Sequence, residues 1–99
     1  MSATATLVVT ARPNPEEMEA VQAYLQGVMP LFVAAGGNLV KRLRVDAVLE
    51  GTPAGMAMIM DFDSAEVIAD LFDSPDYAAL LPARDRGFSD MNILVTQEM

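Results

Sequence analysis

Residues 55–77 read GMAMIMDFDSAEVIADLFDSPDY and combine an apolar strand, a helix cap and an amphipathic helix. The apolar run from Met56 to Met60 is too short for a helix, and it lacks the alternation of a strand with one wet face. Such a strand needs cover on both faces. A short α/β chain supplies helices for one face only, so the sequence predicts that the other face meets a second copy of the protein.

The residues before this segment predict a strand followed by a helix. Residues 4–11, TATLVVTA, are rich in β-branched side chains and predict the first strand. Asn14 and Pro15 are typical of a helix cap and a first helical position, and the helix is expected to end by about Ala35, before a pair of glycines. The apolar stripe of this helix is predicted to contain Met18, Val21, Leu25, Val28 and Phe32.

Two further strands and a short helix complete the predicted order. Residues 38–50 predict a long second strand, and the turn-rich residues 51–55 return the chain antiparallel into the third. Ser74 is expected to cap a short helix that begins at a proline, with Pro82 limiting its length. Residues 91–97, MNILVTQ, predict the fourth strand.

The order strand, helix, strand, strand, helix, strand predicts an α+β fold. It indicates a ferredoxin-like βαββαβ sandwich, in which a four-stranded antiparallel sheet carries its helices on one face. At 99 residues the chain is expected to form a single domain, residues 1–99. The uncovered sheet face predicts a homodimer that forms through the sheets.

Composition argues against several partners. The formal net charge is -8 with only six basic residues, which opposes binding to nucleic acid or to an anionic membrane. The first residues lack the basic and apolar regions of a secretory signal, and no apolar run approaches the roughly 20 residues of a membrane span. We therefore expect a cytoplasmic protein.

The absence of cysteine and histidine removes much chemistry. There is no thiolate nucleophile, no usual zinc ligand and no histidine base, so Ser74 has nothing to activate it as a nucleophile. A metal would need oxygen ligands, and no spaced acidic loop resembles a calcium site. The sequence predicts no metal and no cofactor.

Two arginines and a tyrosine are the candidate ligand-binding residues. Arg42 on the second strand and Arg84 after the short helix are predicted to clamp a carboxylate, because a guanidinium matches that anion with two hydrogen bonds. Tyr77, and also Tyr24, are candidate donors to a ligand. The alternatives are ion pairs within the fold for the arginines and core packing for the tyrosine rings.

Two carboxylates are the candidate catalytic residues. Glu50 and Asp61 are predicted near the ends of adjacent strands, where a partly buried carboxylate acts as a general base if its pKa is raised. The alternative is that Glu50 bonds backbone amides of the Gly51 turn and that Asp61 precedes a helix start. Methionines 56, 58 and 60 either line an adaptable apolar pocket or pack between two sheets.

Several short motifs together resemble a known family. These are Gly36-Gly37 followed by Arg42, Glu50-Gly51, Asp61-Phe62 before Ser64, and Asp73-Ser74-Pro75-Asp76-Tyr77 followed by Arg84. Their spacing resembles the bacterial family DUF1330, a domain of unknown function within the dimeric α+β barrel superfamily. The resemblance implies a dimer whose two sheets face each other, with a small pocket between sheet and helices in each subunit. It implies no particular reaction.

Three functions remain open on the sequence. The first is a cofactor-independent enzyme acting on a small organic acid, as the resemblance to that superfamily suggests, with Glu50 or Asp61 as base and Arg42, Arg84 and Tyr77 binding the substrate. The second is a non-catalytic module that binds a small metabolite. The third is a dimeric accessory domain that uses no pocket.

Overall fold

Four strands form one antiparallel sheet in the computed structural model, which describes residues 4–99. The strands are β1 (Ala5–Pro13), β2 (Asn38–Arg44), β3 (Met56–Phe62) and β4 (Phe88–Thr96). Their order across the sheet is β2-β3-β1-β4, and every neighbouring pair is antiparallel. Strands β1 and β3 are therefore central, while β2 and β4 are the two edges.

The helices all contribute to one core on one face of this sheet. They are α1 (Met18–Ala34), α2 (Ala65–Phe72), α3 (Pro75–Ala78) and α4 (Leu81–Gly87). The core residues shared between the helices and the sheet include Leu7, Met58, Met60, Phe62, Val28, Phe32, Ile68 and Tyr77. This arrangement confirms the predicted ferredoxin-like α+β fold. None of the helices within residues 4–99 combines the length and apolar character that a membrane span requires.

The apolar strand β3 divides its side chains between the two faces of the sheet. Met58 and Met60 are buried under the helices, whereas Ala57 and Ile59, which alternate with them along the strand, lie on the opposite face and are only half-buried. We call this opposite face the open face. The prediction that β3 is apolar on both faces is confirmed, and the residues of each face are now assigned.

Helix α1 begins later than predicted. Asn14 forms a turn before the helix, in which its side-chain oxygen accepts from the Glu16 amide at 3.0 Å and its carbonyl accepts from the Glu17 amide at 3.0 Å. The first helical residue is Met18. The end was predicted correctly, because Gly36 takes the left-handed φ of 84° that stops the helix after Ala34.

The second strand is shorter than the predicted residues 38–50. It ends at Arg44 because β3, its pairing partner, begins at Met56. Residues 45–55 form a loop, in which the Val45 amide donates to the Gly55 carbonyl at 2.9 Å and the Gly55 amide donates to the Ala11 carbonyl at 2.8 Å. A register shift in β2 between residues 39 and 41 also moves the side chains that follow it to the other face of the sheet. Leu39 and Leu43, predicted to share one face, therefore lie on opposite faces.

Helix α4 was not predicted. Pro82 was expected to limit the preceding helix, but it lies in the first turn of α4, where the missing amide costs no hydrogen bond. Strand β4 consequently begins at Phe88 rather than Met91. This correction matters for function because it places Arg84 on a helix beside β4 instead of in a loop.

Candidate functional site

Arg84 lies between two clefts at the β4 edge of the molecule. The larger, about 490 Å³, is lined mainly by the end of α2, by α3 and by α4. The smaller, about 320 Å³, is lined by residues around the start of β4, including Ser89 and Asp90. Arg84 and Ile93 line both clefts, so the two clefts adjoin and the same guanidinium is available to both. We refer to the larger space as the Arg84 cleft.

The Arg84 guanidinium contacts a chain of buried hydroxyl groups. Its Nη1 donates to the Tyr77 Oη at 3.4 Å, and the Tyr77 and Tyr24 hydroxyls are hydrogen-bonded at 2.9 Å. Both tyrosines are buried, with exposed fractions of 3% and 4%. A polar path therefore runs from the core below α1 to the cation at the surface.

Hydrogen bonds of Ser74 and a contact with a neighbouring ring hold Tyr77 at the start of α3. The Ser74 hydroxyl accepts from the Tyr77 amide at 3.2 Å and donates to the Leu71 carbonyl at 2.7 Å. The Tyr77 ring packs edge-on against Phe72 with 4.7 Å between ring centroids. Ser74 is thus the helix cap that the sequence predicted, and it fixes the ring whose hydroxyl reaches Arg84.

Electrostatics keep the arginine charged and the inner tyrosine neutral. Burial raises the pKa of Tyr24 far above its usual value, and the hydrogen bond to Tyr77 raises it further. The pKa of Arg84 is also raised, chiefly by its hydrogen bond to Tyr77. The site therefore presents a permanent cation next to neutral Tyr24.

Asp85 is the ion-pair partner of Arg84, but it binds from the solvent side. The Arg84 Nε and Nη2 atoms both donate to a single Asp85 oxygen at 3.1 Å. The Asp85 side chain is 69% exposed, against 29% for Arg84. Such a pair is worth little and occupies only part of the guanidinium's donors, so it leaves room for another anion.

The walls of the Arg84 cleft are largely apolar. Besides Ser74 and Asp73 at its edge, the lining consists of Phe72, Tyr77, Ala78, Leu81, Arg84 and Ile93. An apolar wall lowers the local dielectric response and strengthens the attraction between a cation and an anion beside it. The arrangement suits a small molecule with a negative group and an apolar body.

Arg42 does not join this site within one chain. It lies on edge strand β2 opposite Met58, while Arg84 lies beside the other edge strand, β4. Three strand spacings of about 4.8 Å each separate the two edges, or roughly 14 Å in all. The two arginines that the sequence paired as a clamp are therefore held apart by the sheet.

The two predicted catalytic carboxylates also lie away from the cleft. Glu50 is exposed in the loop of residues 45–55, beyond the end of β2. Asp61 lies on the open face, where its Oδ1 accepts from the Thr6 hydroxyl at 2.7 Å. Within residues 4–99, no group of three or more acidic side chains is placed to hold a metal ion.

Sequence reasoning did not single out Tyr24 as part of the apolar stripe. Helical spacing allows the stripe to run through positions 21, 24, 28 and 32 or through positions 21, 25, 28 and 32. The structure buries Tyr24 and leaves Leu25 half-buried. The signal that was available is the presence of two tyrosines, each with a hydroxyl that needs a partner once its ring is buried.

The space between α1 and the sheet is filled rather than open. An apolar cavity of about 30 Å³ remains there, and its lining includes Met29, Met56, Met58 and Met91. This volume has room for only about two water molecules, which an apolar lining does not attract. The methionines pack in the core, and the space they leave is too small for a metabolite.

An antiparallel sheet with βαββαβ order and helices on one face is the ferredoxin-like fold. Many solved structures share the fold, among them the following three. A protein of unknown function from Rhodopseudomonas palustris has a TM-score of 0.83 at 17% identity, covering 100% of this chain and 85% of its own. A dimeric ferredoxin-like protein of unknown function from Thermobifida fusca has a TM-score of 0.63 at 17% identity, covering 99% and 93%. The hydroxynitrile lyase from Passiflora edulis has a TM-score of 0.75 at 11% identity, covering 100% and 96%.

The sequence itself identifies the family. Residues 6–99 match the family model described as Domain of unknown function (DUF1330), so the chain belongs to that family. The resemblance noted from its motifs is thereby confirmed. No functionally curated protein matches the sequence. The structural similarities establish the fold alone, since all three identities are low.

Proposed function

We propose that the protein is a homodimer that binds a small organic acid with an apolar body in the Arg84 cleft. The observation that carries this proposal is the position of Arg84. Its side chain is 29% exposed, and its guanidinium is bonded to buried Tyr77 and bordered by apolar walls. A cation that is partly removed from water is costly unless an anion accompanies it, and the exposed carboxylate of Asp85 contributes little as its partner.

The charge of the whole chain favours selective recognition at this point. With a net charge of -8, most of the surface repels anions, and an acid gains only where a cation is locally dominant. The cleft lining contains Arg84 and one carboxylate, Asp73. An incoming carboxylate takes up the unused N–H donors of Arg84 in the geometry that guanidinium prefers. An amine or a neutral analogue of the same shape lacks this interaction.

The homodimer is proposed to form through the open face. Its centre is an apolar row, Ile59–Val8–Leu94, in which each residue is the cross-strand partner of the next. Leu94 on edge strand β4 is 49% exposed, and Leu43 on the other edge strand, β2, is 44% exposed. Exposed apolar rows on a chain that is 53% hydrophobic indicate a surface that a partner covers.

Several polar groups around this apolar row are already paired within the chain, although Lys41, at the β2 end of the row, is charged and exposed. Thr6 donates to Asp61 at 2.7 Å, and the Asn92 side-chain amide donates to the Thr10 hydroxyl at 3.2 Å. Burying groups that already have partners costs less than burying free ones. A second copy is the natural partner, and the Thermobifida fusca protein with this fold is described as dimeric.

A thermal-shift screen tests the ligand proposal. We would compare small carboxylic acids, including cyclohexanecarboxylate, with the corresponding amine and amide on the wild type, Arg84→Met and Arg86→Met. Arg86 is the matched control because it lies on the same helix and carries the same charge, but is 71% exposed and bonds to Glu17. We expect acids to stabilise the wild type and Arg86→Met only. Stabilisation of Arg84→Met, or of no protein, contradicts the proposal.

Catalysis is tested separately on any acid that binds. Within one chain neither Glu50 nor Asp61 lines the Arg84 cleft, so either residue would have to act there through the second copy. We would assay turnover without added cofactor, with magnesium and with oxygen excluded. Turnover that Glu50→Gln or Asp61→Asn abolishes supports the enzyme, while binding without turnover supports a binding module.

A further inference from the structure

The direction of the hydrogen bond between the two tyrosines follows from their surroundings. Among residues 4–99, the Tyr24 hydroxyl has one hydrogen-bond partner, the Tyr77 Oη at 2.9 Å. The Tyr77 Oη has a second partner, Arg84, which only donates. If Tyr77 donated to Tyr24, the proton left without an acceptor would lie on Tyr24, which does not line the Arg84 cleft; in the opposite arrangement that proton lies on Tyr77, which does, and a ligand there can accept it.

Tyr24 therefore donates to Tyr77, and the Tyr77 oxygen accepts two hydrogen bonds. One comes from Tyr24 in the core and the other from Arg84 at the cleft. A phenol oxygen that accepts twice still has its own proton to donate. No protein acceptor for that proton is present among residues 4–99, and the Tyr77 ring lines the Arg84 cleft.

We infer that Tyr24 is a positioning residue that makes Tyr77 a hydrogen-bond donor to the ligand, so the site selects a carboxylate that accepts from Tyr77 and Arg84 together. The inference rests on the proposed function, because it concerns the same cleft. The 3.4 Å between Tyr77 Oη and Arg84 Nη1 allows one carboxylate to contact both donors. A primary amide of the same shape would turn its NH₂ group toward a donor and is rejected.

The composition of the chain makes this arrangement measurable. It contains two tyrosines and no tryptophan, so its near-ultraviolet spectrum reports on Tyr24 and Tyr77. Cyclohexanecarboxylate is transparent in that region and serves as the probe. A phenol that begins to donate to a carboxylate shifts its absorption to longer wavelength. We expect a red-shifted tyrosine difference band when the probe binds the wild type, and none with Tyr77→Phe.

Affinity and spectrum together distinguish positioning from a merely structural role. Loss of one hydrogen bond to a charged group predicts about 10-fold weaker probe binding by Tyr77→Phe, and we expect roughly 3-fold weakening with a reduced band for Tyr24→Phe. Val28→Ala is the control, because it removes core volume one turn further along α1 without touching the hydroxyls. This variant should melt at a lower temperature but bind the probe with unchanged affinity and an unchanged tyrosine difference band.

The possible outcomes separate this inference from the proposed function. Probe binding that requires Arg84 but is unchanged in Tyr24→Phe and Tyr77→Phe overturns the inference and leaves the proposed function standing. A Val28→Ala variant that loses affinity as Tyr24→Phe does also overturns it, because the effect is then one of stability. No probe binding to the wild type overturns both. Circular dichroism confirms that each variant is folded before binding is measured.

Discussion

Burial of the Tyr24 hydroxyl links the stability of the fold to alkaline pH. The pKa of Tyr24 is raised in the folded protein above its ordinary value of 10.0, first by burial and then by the bond to Tyr77. The unfolded chain therefore releases this proton at a lower pH than the folded one. Its contribution to stability is complete at neutral pH and is lost progressively as the pH rises above 10.0.

The predicted loss of stability at alkaline pH can be measured by urea unfolding between about pH 8 and pH 11. We expect the free energy of unfolding of the wild type to decline at the upper end of the range and that of Tyr24→Phe to decline less, since phenylalanine has no proton to release. Parallel curves for the two proteins would show that Tyr24 ionises equally in both states.

Ser74 offers a second test at a single residue. Ser74→Ala removes the acceptor of the Tyr77 amide and should lower the free energy of unfolding by about 1 kcal/mol. Ser89→Ala, exposed on β4, is the control and should change stability little. Because Ser74 holds the Tyr77 ring in place, acid binding by Ser74→Ala is expected to weaken only modestly below its melting temperature. A large loss of binding with little change in stability would instead make Ser74 a ligand-binding residue.

At the scale of elements, the features that depend on nearby residues were predictable from the sequence. The Ser74 cap, the stop at Gly36 and the apolar strand β3 all have short-range causes, and all three were predicted correctly. The length of β2 was not, because its end depends on where β3 begins. Helix α4 was missed because Pro82 is equally typical of a helix stop and of a first turn.

The two faces of β3 predict opposite outcomes for adjacent substitutions. Met58→Asp places a charge in the core beneath the helices and should unfold the protein, since an unpaired buried charge costs several kcal/mol. Ile59→Asp places it on the open face and should leave a folded monomer. Circular dichroism with sedimentation velocity distinguishes these results. A wild type that sediments as a folded monomer at micromolar concentration contradicts the homodimer.

The contact of α4 with α1 depends on a glycine. A Cβ atom added to Gly87 would lie 2.8 Å from the Val21 backbone nitrogen, which is too close unless one of the two helices moves. Gly87→Ala should therefore displace α4, lower the free energy of unfolding by about 1–3 kcal/mol and weaken acid binding through Arg84. Urea unfolding checks the first effect and thermal shift the second. Unchanged stability would mean that α4 is free to shift.

At the scale of the whole molecule, strand order determines which candidate residues meet. The predicted fold implies that β2 and β4 are opposite edges of the sheet, and the structure places Arg42 and Arg84 accordingly. The sequence did not reveal this separation because Arg84 was expected in a loop, whose position the fold does not fix. The contact between Tyr77 and Arg84 was equally hidden, since it requires α3 to be followed after two residues by α4, a helix that the sequence did not predict.

Binding of cyclohexanecarboxylate at the Arg84 cleft can be mapped residue by residue from chemical-shift changes in nuclear magnetic resonance. We expect the largest changes at the Arg84 Nε–H group and at the Leu81 and Ile93 methyl groups, which line one cleft. The Nε–H group of Arg86, bound to Glu17, serves as an internal reference and should not move. Changes centred on Arg42 and Leu43 at the far edge of the sheet, or no changes at all, would show that the acid does not bind in the Arg84 cleft.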